Sequence, residues 1–314
     1  MSDIKSISEA GELHNRRILV RVDWNVPVEE GQIADDFRIE MSRPTLDYIT
    51  NNGGEALVMS HFASDEVAQV VCNFAWAQGI NLLPNLRGDK REEENSSELA
   101  KELAGQADIY VNEAFSASHR AHASIVGVPR LLPSFAGLRF KEEIWNLSKA
   151  FNPSRPFFLI LGGAKFETKL PLVEKFLNIA DEIFIGGTMA KQAHERYKDN
   201  SKISFPHGDI EALDIDEETL KNLKLKTSNS KLILWNGPLG RYEDEEYQEG
   251  TKELAQIIAE SGKESIVGGG DTLAAIKELE IFDKFTFVST GGGAMLDFLA
   301  NGTLPGIEAL TSRD

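Results

Sequence analysis

At 314 residues the chain is longer than one hydrophobic core usually organises, so two domains of about 150 residues each are expected. A formal charge of −17 and a pI near 4.9 argue against nucleic acid or an anionic membrane as partner, since both would be repelled. The one cysteine, Cys72, excludes an internal disulfide and leaves no thiol pattern for a metal, so a small core residue is expected there.

The opening MSDIKSISEAGELHN lacks the basic flank and apolar stretch of a signal peptide, and no apolar run approaches the ~20 residues that span a bilayer. A cytoplasmic location is the expectation. Apolar runs of strand length then recur at Ile18–Val22, Ala56–Met59, Ile109–Val111, Phe157–Leu161, Glu182–Ile185, Leu232–Trp235, Ser265–Val267 and Phe285–Val288. Between several of them lie helical patterns with apolar residues three or four apart, as in Ser97–Leu103, Leu170–Ile179 and Thr251–Ile258. This alternation predicts an α/β fold of parallel sheets covered by helices. An amphipathic stretch, FKEEIWNLSKAF, runs into Asn152-Pro153-Ser154-Arg155-Pro156, where two prolines end a helix and stiffen a connector. The expected domains are therefore 1–150 and 151–302.

Strand ends of the second half are rich in glycine: LILGGAK (159–165), IFIGGTMA (183–190), LILWNGP (232–238), SIVGGGDT (265–272) and FVSTGGGAML (287–296). One such turn needs no more explanation than a positive φ. Five together point to one large anionic ligand, because glycine lets the backbone approach and helix N-termini present free N–H groups beyond the carboxyl ends of parallel strands. Neither G-x-x-x-x-G-K-S/T nor a G-x-G-x-x-G strand end is present, which removes the main support for a P-loop NTPase or a dinucleotide-binding dehydrogenase. Lys165 and Lys169 lie four apart and lean to one side of a nascent helix, where they could meet phosphate oxygens. Asp271, ahead of a helix start, is placed either to hold Mg²⁺ or simply to cap the helix.

In the first half RRILVRVDWN has period two, putting Arg21, Asp23 and Asn25 on one face and Val20, Val22 and Trp24 on the other. A polar face on a strand of an otherwise buried parallel sheet calls for an explanation, and Pro27 places these residues near the strand's carboxyl end, where ligands bind. Arg38, His61 at the end of LVMSH, the run Ser118-His119-Arg120-Ala121-His122, and Arg155 complete a set of cations. Singly, a strand-end histidine or a basic loop is an ordinary structural feature; together they form a local basic site in an acidic chain, suited to a small molecule carrying phosphate and carboxylate.

At these residues the sequence resembles the phosphoglycerate kinase family. RILVRVDWNVPVEEGQIADDFRI is similar to that family's opening signature, with Trp24 where phenylalanine is usual. SHRAHAS, RPFFLILGGAKFETK, IGGTMA, WNGPLGRYE, GGGDT, STGGGAML and the closing LPGIEAL follow in the family's order. The resemblance implies two Rossmann-like domains facing across a cleft, with the tail 303–314 crossing back to the first. It implies that Arg21, Asp23, Asn25, Arg38, His61, Arg120 and Arg155 hold 3-phosphoglycerate. Gly162, Gly163, Lys165, Lys169, Gly187, Asn236, Pro238, Glu243, Gly269, Gly270, Asp271 and Thr272 would then surround ATP or ADP, with Glu243 at the ribose and Asp271 on Mg²⁺. Lys169, Arg38 and the Gly269–Gly270 amides would neutralise the transferring phosphoryl group. The expected protein is a monomer with small-molecule substrates only.

The chain departs from the family in three places. His61 is followed by Phe62-Ala63-Ser64 instead of Leu-Gly-Arg-Pro, so a substrate-contacting arginine is missing. Only 19 residues (63–81) separate that point from LLPN, and 41 (191–231) separate GGTMA from LILWNG. Arg241 replaces an apolar residue beside the base. Three readings follow: a minimal working kinase, a relative that binds nucleotide without turnover, or a kinase for another small carboxylate.

Overall fold

The computed structural model describes residues 4–311. They form two compact units: one runs to Ile144 and takes back the chain from Thr303, and the other is Trp145–Gly302. The division falls inside a helix, ahead of the connector Asn152–Pro156. A chain can change cores partway along a helix, so the residues that stop the helix need not be where the packing divides. Of the returning tail, residues 312–314 lie outside the described residues.

The first unit carries β1 (Arg17–Arg21), an antiparallel ribbon of β2 (Val28–Glu29) and β3 (Gln32–Ile33), then β4 (Glu55–Met59), β5 (Asn81–Leu82), β6 (Ile109–Asn112) and β7 (Ser134–Ala136). Its main sheet has the order β5-β4-β1-β6-β7 and is parallel throughout. Helices α1 (Phe37–Asn51), α2 (Asp65–Ala77), α3 (Lys90–Glu93), α4 (Ser97–Ala104) and α5 (Leu138–Ser148) follow in chain order. The period-two alternation of β1 feeds two apolar layers. Ile18, Val20, Val22 and Trp24 pack with Ile39, Ile49 and Val71 of α1 and α2, whereas Leu19 packs with Leu99 and Leu103 of α4. Both faces are covered, as a parallel sheet requires. Trp24 tolerates full burial because its indole N–H donates to Ser42 Oγ at 2.8 Å. Cys72, on α2, is half-buried and not a core residue.

The second unit contains β8 (Phe157–Leu161), β9 (Glu182–Ile185), β10 (Ile203–Ser204), β11 (Leu232–Asn236), β12 (Glu264–Gly268) and β13 (Phe287–Val288), in the order β10-β9-β8-β11-β12-β13 and again all parallel. Its helices are α6 (Phe166–Phe176), α7 (Ala190–Tyr197), α8 (Glu217–Asn229), α9 (Glu249–Glu260), α10 (Gly270–Glu278) and α11 (Gly293–Asn301). All eight expected strands are present, the last shortened to Phe287–Val288. Helix α6 begins a turn before its apolar pattern does.

Strand order reverses once in each sheet, between β1 and β6 and between β8 and β11. Such switch points open a crevice beyond the carboxyl ends of the two strands, because their connections leave in opposite directions. After Gly302, α12 (Pro305–Thr311) returns to the first unit, where Gly306 N donates to Ser118 O at 2.9 Å. A Cβ on Gly306 would lie 2.6 Å from the Ser118 side chain, so glycine is what permits this approach.

Candidate active site

In the second unit the switch point is built from interlocked backbone. Gly162 N donates to Asn236 O at 3.0 Å and Gly163 N to Pro238 O at 2.7 Å. A Cβ on Gly162 would come within 2.0 Å of Pro238 O, and one on Gly237 within 2.4 Å of Gly162 O. The two turns can lie this close only as glycines. Side chains then hold the loop after β11. Trp235 Nε1 donates to Gly237 O at 2.8 Å, Thr272 Oγ1 accepts from Gly237 N at 3.0 Å, and Thr251 Oγ1 accepts from Leu239 N at 3.0 Å.

Over these turns opens a cavity of about 500 Å³. Gly163, Lys165, Lys169, Asn236, Pro238, Glu243, Gly269, Gly270 and Asp271, all expected from the sequence, line it together with Thr188, Arg241, Gly292, Gly293 and Leu296. Gly162, Gly187 and Thr272 do not line it; they hold the turns that do. Gly292 and Gly293, at the start of α11, belong to the fifth glycine-rich strand end, a signal legible in the sequence but absent from the residues expected at the nucleotide.

Lys169 is buried on α6, its Nζ 3.2 Å from where a Cβ of Gly163 would sit. Burial holds its pKa below the ordinary lysine value, opposed by the negative charge of Asp271. Asp271 is shifted the other way: burial raises its pKa, Glu243 raises it further, and Lys169 lowers it. Asp271 is not the cap of α10. That position is Gly269, at φ 106°, and Asp271 stands in the first helical turn with its carboxylate toward the cavity. Two neighbouring carboxylates, one partly desolvated, suit a divalent cation that phosphate oxygens and water help to hold, since Mg²⁺ at such sites needs only one or two protein carboxylates. Among the described residues no three His, Cys, Asp or Glu side chains gather as metal ligands.

Arg241 ion-pairs with Asp244 at 2.5 Å and lies over the Tyr247 ring at 5.4 Å, lining the same cavity.

In the first unit the charged groups collect beyond the carboxyl ends of β1, β4, β5 and β6. Asp23 accepts from Arg38 Nη1 at 3.0 Å and from Ser116 Oγ, so it ties α1 to the loop after β6. Asn25 Oδ1 accepts from Ala63 N at 2.8 Å, and its carbonyl takes a second bond from Arg38 at 3.3 Å. Arg21 is fully buried, with Nε donating to Ser124 Oγ at 2.9 Å and Nη2 meeting His61 Nδ1 at 3.0 Å. A guanidinium can only donate, so Nδ1 accepts and the ring proton stands on Nε2. Burial first, then the positive charge of Arg21, depress the His61 pKa to about 3, against the pull of Asp23; Arg87 and Arg120 depress it further. His61 is therefore a neutral donor.

Arg87 is thus part of this patch although the sequence pattern does not single it out. It follows Asn85, whose Oδ1 accepts from Phe62 N at 2.9 Å and from Arg87 N at 3.0 Å, joining the loop after β5 to the turn after His61. Arg120 is exposed on the loop after β6. Arg155 belongs to the second unit: it precedes β8, at the amino end of that sheet, with its guanidinium on Asp181 at 2.6 Å and Ile179 O at 3.0 Å. Where the arginine after His61 is missing, the chain enters α2 at once, with Ser64 capping Val67 N at 3.2 Å.

A doubly wound pair of units, one holding buried lysine and carboxylate over glycine turns and the other an arginine-rich patch, has the charge-neutralising apparatus of a phosphotransferase. Comparison with known proteins makes the class particular. The family model "Phosphoglycerate kinase" matches residues 7–75, 62–204 and 190–302. Phosphoglycerate kinase of Coprothermobacter proteolyticus is 34% identical over 388 residues, covering 98% of each chain, and that of Finegoldia magna 36% over 385, covering 96% of this chain and 98% of its own. These alignments exceed the 314 residues of this chain, so the relatives carry segments it lacks. The solved phosphoglycerate kinase of Coxiella burnetii superposes with TM-score 0.86 at 30% identity, covering 99% of both chains; that of Pyrococcus horikoshii gives 0.84 at 27%, covering 98% of both. The chain belongs to the phosphoglycerate kinase family, whose members act on phosphoglycerate and adenine nucleotides with magnesium. No helix among the described residues is long and apolar enough to cross a membrane.

Proposed function

We propose that this enzyme transfers a phosphoryl group reversibly between 1,3-bisphosphoglycerate and ADP, giving 3-phosphoglycerate and ATP, as a cytoplasmic monomer. A β-phosphate oxygen of ADP forms the new bond to phosphorus, and the O–P bond of the acyl phosphate breaks, so the bridging oxygen stays on carbon as part of the carboxylate. In the reverse direction the acceptor carboxylate is already ionised above its pKa of about 3.5, so no general base is required. Positioning and charge neutralisation remain as the work of the protein.

In this reading the cavity of the second unit takes the nucleotide, with Asn236, Pro238 and Glu243 along it. Lys169 and the amides of Gly269 and Gly270 meet the transferring phosphoryl group, and Lys165 meets the adjoining phosphates. Asp271, aided by Glu243, would hold Mg²⁺, which spreads the phosphate charge. Asp23, Asn25, Arg38, His61 and Arg120, joined by Arg87, would hold phosphoglycerate, Arg38 having the further role of neutralising charge on the phosphoryl group. Arg155, engaged with Asp181, supports no substrate role in this arrangement.

The observation that carries the reading is Lys169: a buried cation that lines the cavity against the Gly163 turn and beside Asp271, where phosphate oxygens would meet its charge. Losing the arginine after His61 costs about 1.5–3 kcal/mol of substrate binding, which weakens affinity without removing the transfer apparatus. A coupled assay with purified protein, Mg²⁺, ATP and 3-phosphoglycerate tests this; turnover is expected, with a high KM for the acid. Nucleotide binding without turnover would establish a non-catalytic relative, and turnover only with another acid would replace the substrate.

A further inference from the structure

Glu92, on α3, is a buried carboxylate, 1% exposed, that the phosphoryl-transfer chemistry does not use. Its Oε2 accepts from Ser124 N at 2.9 Å and its Oε1 from Ser124 Oγ. Ser124 Oγ in turn accepts from Arg21 Nε at 2.9 Å, and Arg21 Nη2 donates to His61 Nδ1 at 3.0 Å. The Ser124 carbonyl is held from behind by the Tyr110 hydroxyl at 2.8 Å. Arg21 has no exposed surface and cannot touch a substrate. Its charge is balanced chiefly by Glu92 and Asp23.

We propose that Glu92 and Arg21 are positioning residues: Glu92, acting through Ser124, fixes Arg21, and Arg21 holds His61 in the tautomer that presents Nε2–H to the phosphoglycerate. This deepens the substrate assignment above and rests on it for its kinetic part only. The logic is that of an orienting shell, in which the bond made by one ring nitrogen decides what the other offers. With Nδ1 occupied by a donor that never deprotonates, the ring neither flips nor titrates. The charges facing it are Arg21, Asp23, Arg87 and Arg120, and three of the four oppose protonation.

The test is a two-bond ¹H–¹⁵N spectrum of the full chain labelled at histidine, joined to steady-state kinetics. In the wild-type protein His61 should show the Nε2–H tautomer, unchanged between about pH 5 and 8. In Glu92→Gln a tautomer mixture should appear, with KM for 3-phosphoglycerate raised about tenfold and KM for the nucleotide unmoved; Glu92→Asp should recover part of both. If Glu92→Gln does not fold, Ser124→Ala breaks the same link and should give the same pair of changes. An Nδ1–H tautomer or a titrating His61 in the wild-type protein overturns the proposal, as does a variant whose His61 signals and KM both stay put. Because the tautomer is read without substrate, an enzyme inert toward 3-phosphoglycerate whose His61 still responds to Glu92→Gln would sink the substrate and retain the relay.

Discussion

Lys169 and Asp271 have their pKa values pushed toward neutrality from opposite sides, the lysine lowered and the aspartate raised, and burial is the leading cause for both. Desolvated charges of opposite sign interact strongly with a ligand that replaces water. Lys169→Met keeps the volume and deletes the charge; kcat should fall about a hundredfold or more while nucleotide affinity changes by less than about threefold. Equal losses in both, measured by steady-state kinetics and calorimetry, would remove Lys169 from the transition state. Asp271→Asn should raise the Mg²⁺ concentration for half-maximal activity about tenfold, read by titrating Mg²⁺ at fixed ATP. An unmoved Mg²⁺ requirement would show the metal to be held elsewhere.

Among the elements, the join of β6 to α5 carries a buried carboxylate with a measurable signature. Glu113 follows β6 and accepts from Arg139 N at 3.1 Å, Phe140 N at 2.9 Å and Thr45 Oγ1 at 2.5 Å, thereby capping the first turn of α5. Burial nevertheless raises its pKa from 4.5 to about 7. The folded state then binds a proton that the unfolded state has released, so this group's contribution is full below pH 4.5 and is lost as pH rises through 7. The loss amounts to at most about 3 kcal/mol. Denaturant midpoints at pH 5 and pH 8 should drop further in the wild-type protein than in Glu113→Gln; parallel drops would show that Glu113 titrates normally. Gly137 shares this join, because a Cβ there would come within 2.0 Å of Glu113 Oε2.

Element type was legible wherever a strand ran four or five residues with near-continuous apolar character, as in β8 and β11. The edge strands β5 and β10 and the ribbon β2–β3 are two residues long and show no period to read. Helix α5 was legible as a helix, but the place where its packing divides was not, since amphipathicity does not say which core receives which turn. At the site, the glycine-rich strand ends pointed to the cavity of the second unit, which glycines from four of the five line. Arg87 gave no such signal: it lies in an ordinary loop, and only the parallel topology brings the end of β5 beside His61. The Glu92–Ser124–Arg21 relay was equally hidden, joining residues 32 and 103 apart in the chain.

At the scale of the whole molecule, a chain of charge −17 must draw anionic substrates to two local concentrations of positive charge and amide N–H groups, one in each unit. Each unit has its own sheet and buried core. Hydrogen exchange should therefore respond to each ligand separately. Mg-ATP alone should slow amides at 162–165, 237–243 and 269–272, and 3-phosphoglycerate alone those at 21–25, 61–63 and 118–122. Protection by either ligand confined to the other's segments would reverse the assignment of substrates to units.

The immediate entry into α2 after His61 also limits how the missing arginine could be regained. Phe62 is locked in the core and Ser64 caps the helix, so a long basic side chain at 62 would empty packed volume and one at 64 would cost about 1 kcal/mol of cap. Ala63 is exposed and contributes only its backbone N–H, which Asn25 already receives. A gain-of-affinity graft, whether by an engineer or by descent, has that single open address unless the loop itself is lengthened.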